Sequence, residues 1–171
     1  MMKLFAENEA LSVRQFSPSD LDDFAMLTSN GKSMKYCPTG KLNRRQAEAM
    51  FANILNHAAR NKYCLYAIAD KASSQVVGLA GLQECSVEDE ISLNFVYRTL
   101  PEYFANSHIN SLFRQFINNL LVIHQLSTMN AVIAKKNLLS VSLMESLHFK
   151  RISNHVVCRG IDSFLYQYSP P

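Results

Sequence analysis

The residues with the most chemical promise gather around one stretch, Leu93 to Phe113, LNFVYRTLPEYFANSHINSLF. It reads as an apolar strand, a Pro101-Glu102-Tyr103 turn and the opening of an amphipathic helix. A strand that runs straight into a helix start leaves unpaired backbone N–H groups at the positive end of the helix dipole. Such a cluster seats a phosphate or pyrophosphate. His108 falls on the first turn of that helix, within reach of a bound phosphate, or else it is an exposed histidine. Lys135 and Lys136 form a cationic pair further on, either near such phosphates or in a solvated turn. Tyr36 and Tyr97 offer phenol groups that either line a site or sit in the core with a bonded hydroxyl. Glu84, Glu88, Asp89 and Glu90 supply carboxylates; Glu84 is either a candidate general base or, beside the other three, a solvated loop carboxylate.

Other chemistry finds less support. Cys37, Cys64, Cys85 and Cys158 contain no CxxC pair, and no histidine cluster has zinc spacing. They read as reduced, mostly buried thiols in a cytoplasmic protein, with no metal. The chain carries a formal net charge of +3, with 18% charged residues. That balance lacks the dense basic face of a nucleic-acid binder and suits an anionic small ligand. The opening MMKLFAENEA has no apolar core of a signal peptide, and no apolar run is long enough to span a bilayer. A length of 171 residues with 48% hydrophobic content suits one domain over residues 1–171.

The elements that must position these groups follow from periodicity. Residues 11–16 alternate as a strand. Ser17, Pro18 and Asp20 open a helix that runs through Leu21, Phe24 and Leu27 to a stop at Asn30-Gly31. Asn43 and Gln46 make a capping box for a second helix, whose apolar face is Ala47, Met50, Phe51, Ile54, Leu55 and Ala58. Arg44 and Arg45 on its first turn oppose the dipole, as a solvated pair or a ligand contact. Residues 63–70 and 76–82 form a hairpin, with Gly78 and Gly81 marking close backbone approach. The polar segment 83–90 leads to a strand over 91–99. A long helix spans Asn106 to His124, a strand 129–134, a helix 138–147, and two strands 149–158 and 163–168. The fold class is therefore α/β (α+β): a mixed, mostly antiparallel sheet of about seven strands flanked by about four helices.

That element order is similar to that of the GNAT N-acetyltransferases, and local matches run along nearly the whole chain. Leu11-Ser12-Val13-Arg14 with Asp20 resembles the L-x-L-R opening of the RimJ/RimL-like branch. Tyr66-Ala67-Ile68 and Val77-Gly78-Leu79-Ala80-Gly81-Leu82 resemble its F-A-I and I-G-x-I-G-L hairpin. Pro101-Glu102-Tyr103-Phe104 resembles P-x-Y-W, Asn137-Leu138-Leu139-Ser140 resembles N-x-x-S, and Glu145 to Phe149 stands where the family has E-K-L-G-F. The family's phosphate loop, Q/R-x-x-G-x-G/A, falls on Phe104, Ala105, Asn106, Ser107, His108 and Ile109. Ser107 replaces a glycine and fits if its φ is negative, whereas Ile109 brings a branched side chain that could crowd the cofactor.

The resemblance implies acetyl-CoA as co-substrate and a primary amine as acceptor, on a protein or peptide N-terminus or another amine. It implies a monomer or homodimer, with no nucleic acid and no membrane as partner. Tyr97, Arg98 and Thr99 would pair with the pantetheine arm as an added strand does. The amides of residues 104–109 would hold the pyrophosphate. Asn137 would lie along the arm and Ser140 near the sulfur as an acid; otherwise Asn137 merely caps a helix and Ser140 faces solvent. Glu84 would face the acceptor cleft as base, with Tyr97 also at the reacting end. Two other functions stay open: a binding or regulatory module that has lost catalysis, and an acetyltransferase for a small-molecule amine such as an antibiotic or polyamine.

Overall fold

The computed structural model describes residues 3–60 and 63–171. Met1 and Met2 of the polar N-terminal stretch lie outside the described residues. The strands are β1 (Leu4–Glu7), β2 (Leu11–Arg14), β3 (Leu65–Asp70), β4 (Val76–Val87), β5 (Glu90–Thr99), β6 (Met129–Ala134), β7 (Lys150–Cys158) and β8 (Ile161–Tyr168). The helices are α1 (Leu21–Ser29), α2 (Arg44–Arg60), α3 (Ser107–His124) and α4 (Leu138–Ser146). All eight strands form one sheet in the order β1-β2-β3-β4-β5-β6-β8-β7. Every pairing is antiparallel except β5 with β6.

The two helix starts read from the sequence form by side-chain capping. Asn43 Oδ1 accepts from the Gln46 N–H and Gln46 Oε1 accepts from the Asn43 N–H, both at 2.9 Å, a reciprocal box that opens α2. At the first helix the Asp20 carboxylate accepts from the Ser17 N–H at 2.7 Å. Asp20 also takes the buried Arg14 guanidinium through two bonds of 2.7 and 2.9 Å. That pair ties β2 to a short 3-10 turn over Pro18–Asp20 that precedes α1. Arg44 pairs with Asp22 at 2.6 Å and Glu48 at 2.7 Å, so it is the solvated arginine of the two sequence readings.

Two aromatic clusters organise the core. Phe16, Phe24 and Phe51 join β2's exit to α1 and α2. Tyr66, Phe95 and Tyr97 of the sheet meet Phe113 and Phe116 of α3. The apolar stripe of α3 is buried along its length, from Ile109 to Leu121, as its 3.6-residue spacing requires.

Three features depart from the sequence reading. The eighth strand, β1, is additional, and it is fastened to α3: Glu7 N–H donates to Gln115 Oε1, Asn119 Nδ2 to the Phe5 carbonyl, and Asn8 Nδ2 to the His108 carbonyl and Ser111 Oγ. The polar segment 83–90 is not a connection but the outer half of a long β4–β5 hairpin, in register from Gly78↔Thr99 to Val87↔Glu90. β8 begins two residues earlier than the predicted 163. Gly78 behaves as expected, since a Cβ there would sit 2.5 Å from the Arg98 carbonyl oxygen. Its absence lets β4 lie flush against the part of β5 that borders the site.

Candidate active site

β5 and β6 share a single ladder pair, Asn94↔Asn130, and then part. Beyond that pair the edge of β5 from Val96 to Thr99 borders a cleft of about 1020 Å³. Unpaired strand edges present N–H and C=O groups that an extended ligand can satisfy. A second, smaller cavity of about 120 Å³ opens on the far side of the gap. Tyr36, Val96, Arg98, Val132 and Ala134 line both, so the two spaces meet at the parting of the strands.

Tyr97 points to the α3 side, edge-on to Phe113 with ring centroids 5.2 Å apart. Its hydroxyl lies 2.6 Å from Ser140 Oγ on the first turn of α4. Burial pushes the Tyr97 phenol up to about 12, against a smaller opposing effect of the Ser140 bond. The phenol therefore stays protonated at neutral pH. Ser140 is buried rather than facing solvent. Asn137 is the N-cap of α4, its Oδ1 accepting from the Ser140 N–H at 3.3 Å, and it also lines the cleft.

Where α3 begins along the cleft, the loop residues take up definite roles. Ala105 adopts a left-handed φ of 55°, and the helix begins at Ser107 with an ordinary negative φ. The Ser107 N–H is the first of α3 and has no intrahelical acceptor. The next amide, of His108, is taken by Asn106 Oδ1 at 2.8 Å. Ile109 is buried at 3% exposure, with most of its branched side chain packed under α3 and an edge on the cleft wall. The first turn of α3 turns that position toward the core, so only a small part of the side chain faces the cleft.

Two sequence candidates lie elsewhere. Glu84 lines neither cavity. It is exposed, cross-strand from Leu93, on the sheet face shared with Leu82 and Phe95. Strand alternation turns its neighbours Gln83 and Cys85 to the second cavity instead. The reading of Glu84 as a base facing the acceptor cleft is therefore corrected. His108 also turns away, with Nδ1 3.6 Å from Glu9 Oε1, and its side chain does not line the cleft. The other candidates, Tyr97, Arg98, Thr99, Phe104, Ala105, Asn106, Ser107, Ile109, Asn137 and Ser140, come together around the cleft.

The sequence reading missed several residues of the same walls. Asn110 and Arg114 follow Ser107 at i+3 and i+7, a helical face that periodicity could have shown. Arg114 donates to Asn110 Oδ1 and to the Ser146 carbonyl, bracing α3 against α4. Cys37 lies in a loop without periodicity, so nothing in the sequence pointed to it. Its Sγ accepts from Arg98 Nη2 at 3.1 Å. Burial pushes the Cys37 thiol up, but the Arg98 charge and bonds from Thr39 outweigh it and leave the thiol below its ordinary range. The Tyr36 hydroxyl donates to the Lys136 carbonyl at 2.9 Å and ties this loop to the turn before α4.

The acetyltransferase (GNAT) domain profile matches residues 10–150. The chain belongs to the GNAT acetyltransferase family. Among solved structures it is similar to the GNAT-family acetyltransferase from Bacillus anthracis, at 17% identity and TM-score 0.78 over 99% of this chain and 98% of that one. It is similar to the ribosomal-protein-S5-alanine acetyltransferase from Vibrio fischeri, at 14% identity and TM-score 0.74 over 99% and 96%. It is also similar to the spermidine N-acetyltransferase from Vibrio cholerae in complex with CoA and spermine, at 18% identity and TM-score 0.73 over 95% and 96%. No curated protein matches the sequence. This GNAT chain is an acyltransferase with acetyl-CoA as its co-substrate. Its residues fit that molecule: the parted β5 edge suits an extended amide-bearing arm, and the free amide at Ser107 beside Arg114 suits a pyrophosphate. No helix among the described residues is long and apolar enough to cross a membrane.

Proposed function

We propose that this chain moves the acetyl group of acetyl-CoA to a primary amine, on a protein or peptide N-terminus or a comparable amine, by direct attack within the cleft. The observation that carries this reading is the parted β5–β6 edge with a protonated Tyr97–Ser140 hydroxyl pair against it. Acetyl-CoA supplies an activated acyl group as a thioester. The chain's residues supply position and a proton. The β5 backbone from Val96 to Thr99 holds an extended partner in register, and such positioning accounts for much of the rate in a direct transfer. A β5 amide facing the gap is placed to stabilise a developing oxyanion. Tyr97, kept neutral by burial, shares its proton with Ser140 and can release it to a departing thiolate. Asn137 fixes Ser140 by capping the turn that carries it.

The acceptor enters from the second cavity, opposite α3. Among the described residues no Asp or Glu lines either cavity, which disfavours a polycation as acceptor. The test is thiol release from acetyl-CoA with a peptide bearing a free N-terminus. Release at a rate that saturates with both substrates is expected. Absence of any release, together with no thermal shift at millimolar acetyl-CoA, would return the chain to a non-catalytic binding role.

A further inference from the structure

Taking acetyl transfer as the reaction, we propose that the acceptor amine carries an anionic group, a carboxylate, a few atoms from its nitrogen, and that Arg159 and Arg98 recognise it. The second cavity is walled by Gln83 and Cys85 of β4, by Cys158 and Arg159 at the β7–β8 turn, and by Ile161 and Ser163 of β8. Arg98 stands at its junction with the main cleft. These two guanidiniums are its only charged groups, and neither has a carboxylate partner among the described residues.

The nearby carboxylates are committed elsewhere. Asp162, between two lining residues, points the other way and holds Lys135 at 2.9 Å and His155 at 2.7 Å. Glu84 occupies the opposite sheet face, and Glu145 pairs with Arg151 at 2.9 Å. The co-substrate does not explain Arg159. The cations that face the larger cleft are Lys32, Lys35, Arg98, Arg114 and Lys136, and Arg159 is absent from that wall. A guanidinium with free N–H groups receives a carboxylate through two parallel bonds. Like-charge juxtaposition, in turn, rejects a cationic side chain at the same place. The carboxylate can come from a free amino acid or from an acidic residue at a peptide N-terminus.

The experiment measures thiol release from acetyl-CoA with C-terminally amidated peptides beginning with Asp, Ser or Lys, and with free aspartate. We expect kcat/KM for the Asp peptide or aspartate to exceed that for the Lys peptide by at least about tenfold. A lead for the amidated Asp peptide identifies the side-chain source, and a lead for free aspartate the amino-acid source. Arg159→Glu should invert the order, chiefly through KM, while Arg159→Lys keeps it. Equal kcat/KM across the charges, or a lead for Lys, overturns the inference and leaves acetyl transfer standing. Calorimetric binding of the same acceptors without acetyl-CoA provides a readout free of turnover. Tighter binding of the acidic acceptors, lost in Arg159→Glu, with no thiol release, would sustain the charge assignment and remove acetyl transfer. No difference in binding would remove the charge assignment.

Discussion

At the scale of single residues, the Tyr97–Ser140 pair and Ile109 carry opposite lessons. Tyr97→Phe removes the buried proton donor and should lower kcat by about 10²-fold with little change in acetyl-CoA affinity, as steady-state kinetics and a binding titration would show. Ser140→Ala should lower kcat less, because the phenol remains. A rate unchanged in Tyr97→Phe would exclude the pair as proton source. The same burial has a pH consequence. Burial raises the Tyr97 phenol from 10.0 to about 12 and raises Tyr66 as well, so both favour folding fully below pH 10. Tyr97's part of that contribution is lost as pH rises through about 12, and Tyr66's only at higher pH. Denaturant midpoints of the wild type should therefore fall more steeply over that range than those of Tyr97→Phe. Ile109 looked from the sequence like an obstacle to the cofactor; it is mostly core, with an edge on the cleft wall, so Ile109→Ala should cost about 2–5 kcal/mol of stability. A residue's type in a loop motif was legible, but its direction depended on where the helix begins.

At the scale of elements, local signals with their own hydrogen bonds were readable. The Asn43–Gln46 box is one, and the close approach at Gly78 another. The site's face assignments were not, because a strand's side chains alternate and the length of the β4–β5 hairpin decides which of Gln83 and Glu84 meets the cavity. Nor did the sequence disclose that Asp20 serves Arg14 as well as the cap. Asp20→Ala leaves a buried guanidinium without its partner and should cost about 3–5 kcal/mol, measured by urea unfolding. His148, where the family has glycine, adopts a left-handed φ of 66° after α4. His148→Gly should therefore stabilise by about 1 kcal/mol, seen as a higher Tm; a lower Tm would mean the imidazole makes a contact that outweighs the backbone strain.

At the scale of the whole molecule, the order of elements identified the fold because the period of most segments matched their final state, the polar 83–90 stretch and β1 excepted. The short β1 escaped, since four residues carry little periodicity and its place is set by β2 together with α3, far along the chain. Acetyl-CoA at 100 times its Kd should raise the unfolding free energy by about 2.7 kcal/mol, with a matching rise in Tm. No rise would mean the cleft does not take the co-substrate. The bonds from Asn8 to the His108 carbonyl and Ser111 brace the very turn that offers its amide to the pyrophosphate. The segment around Asn8 is thus a buttress for ligand affinity. Trimming residues 3–9, or pulling on them with a bulky fusion partner, should weaken co-substrate binding from a distance, so the side chosen for a purification tag becomes a functional variable.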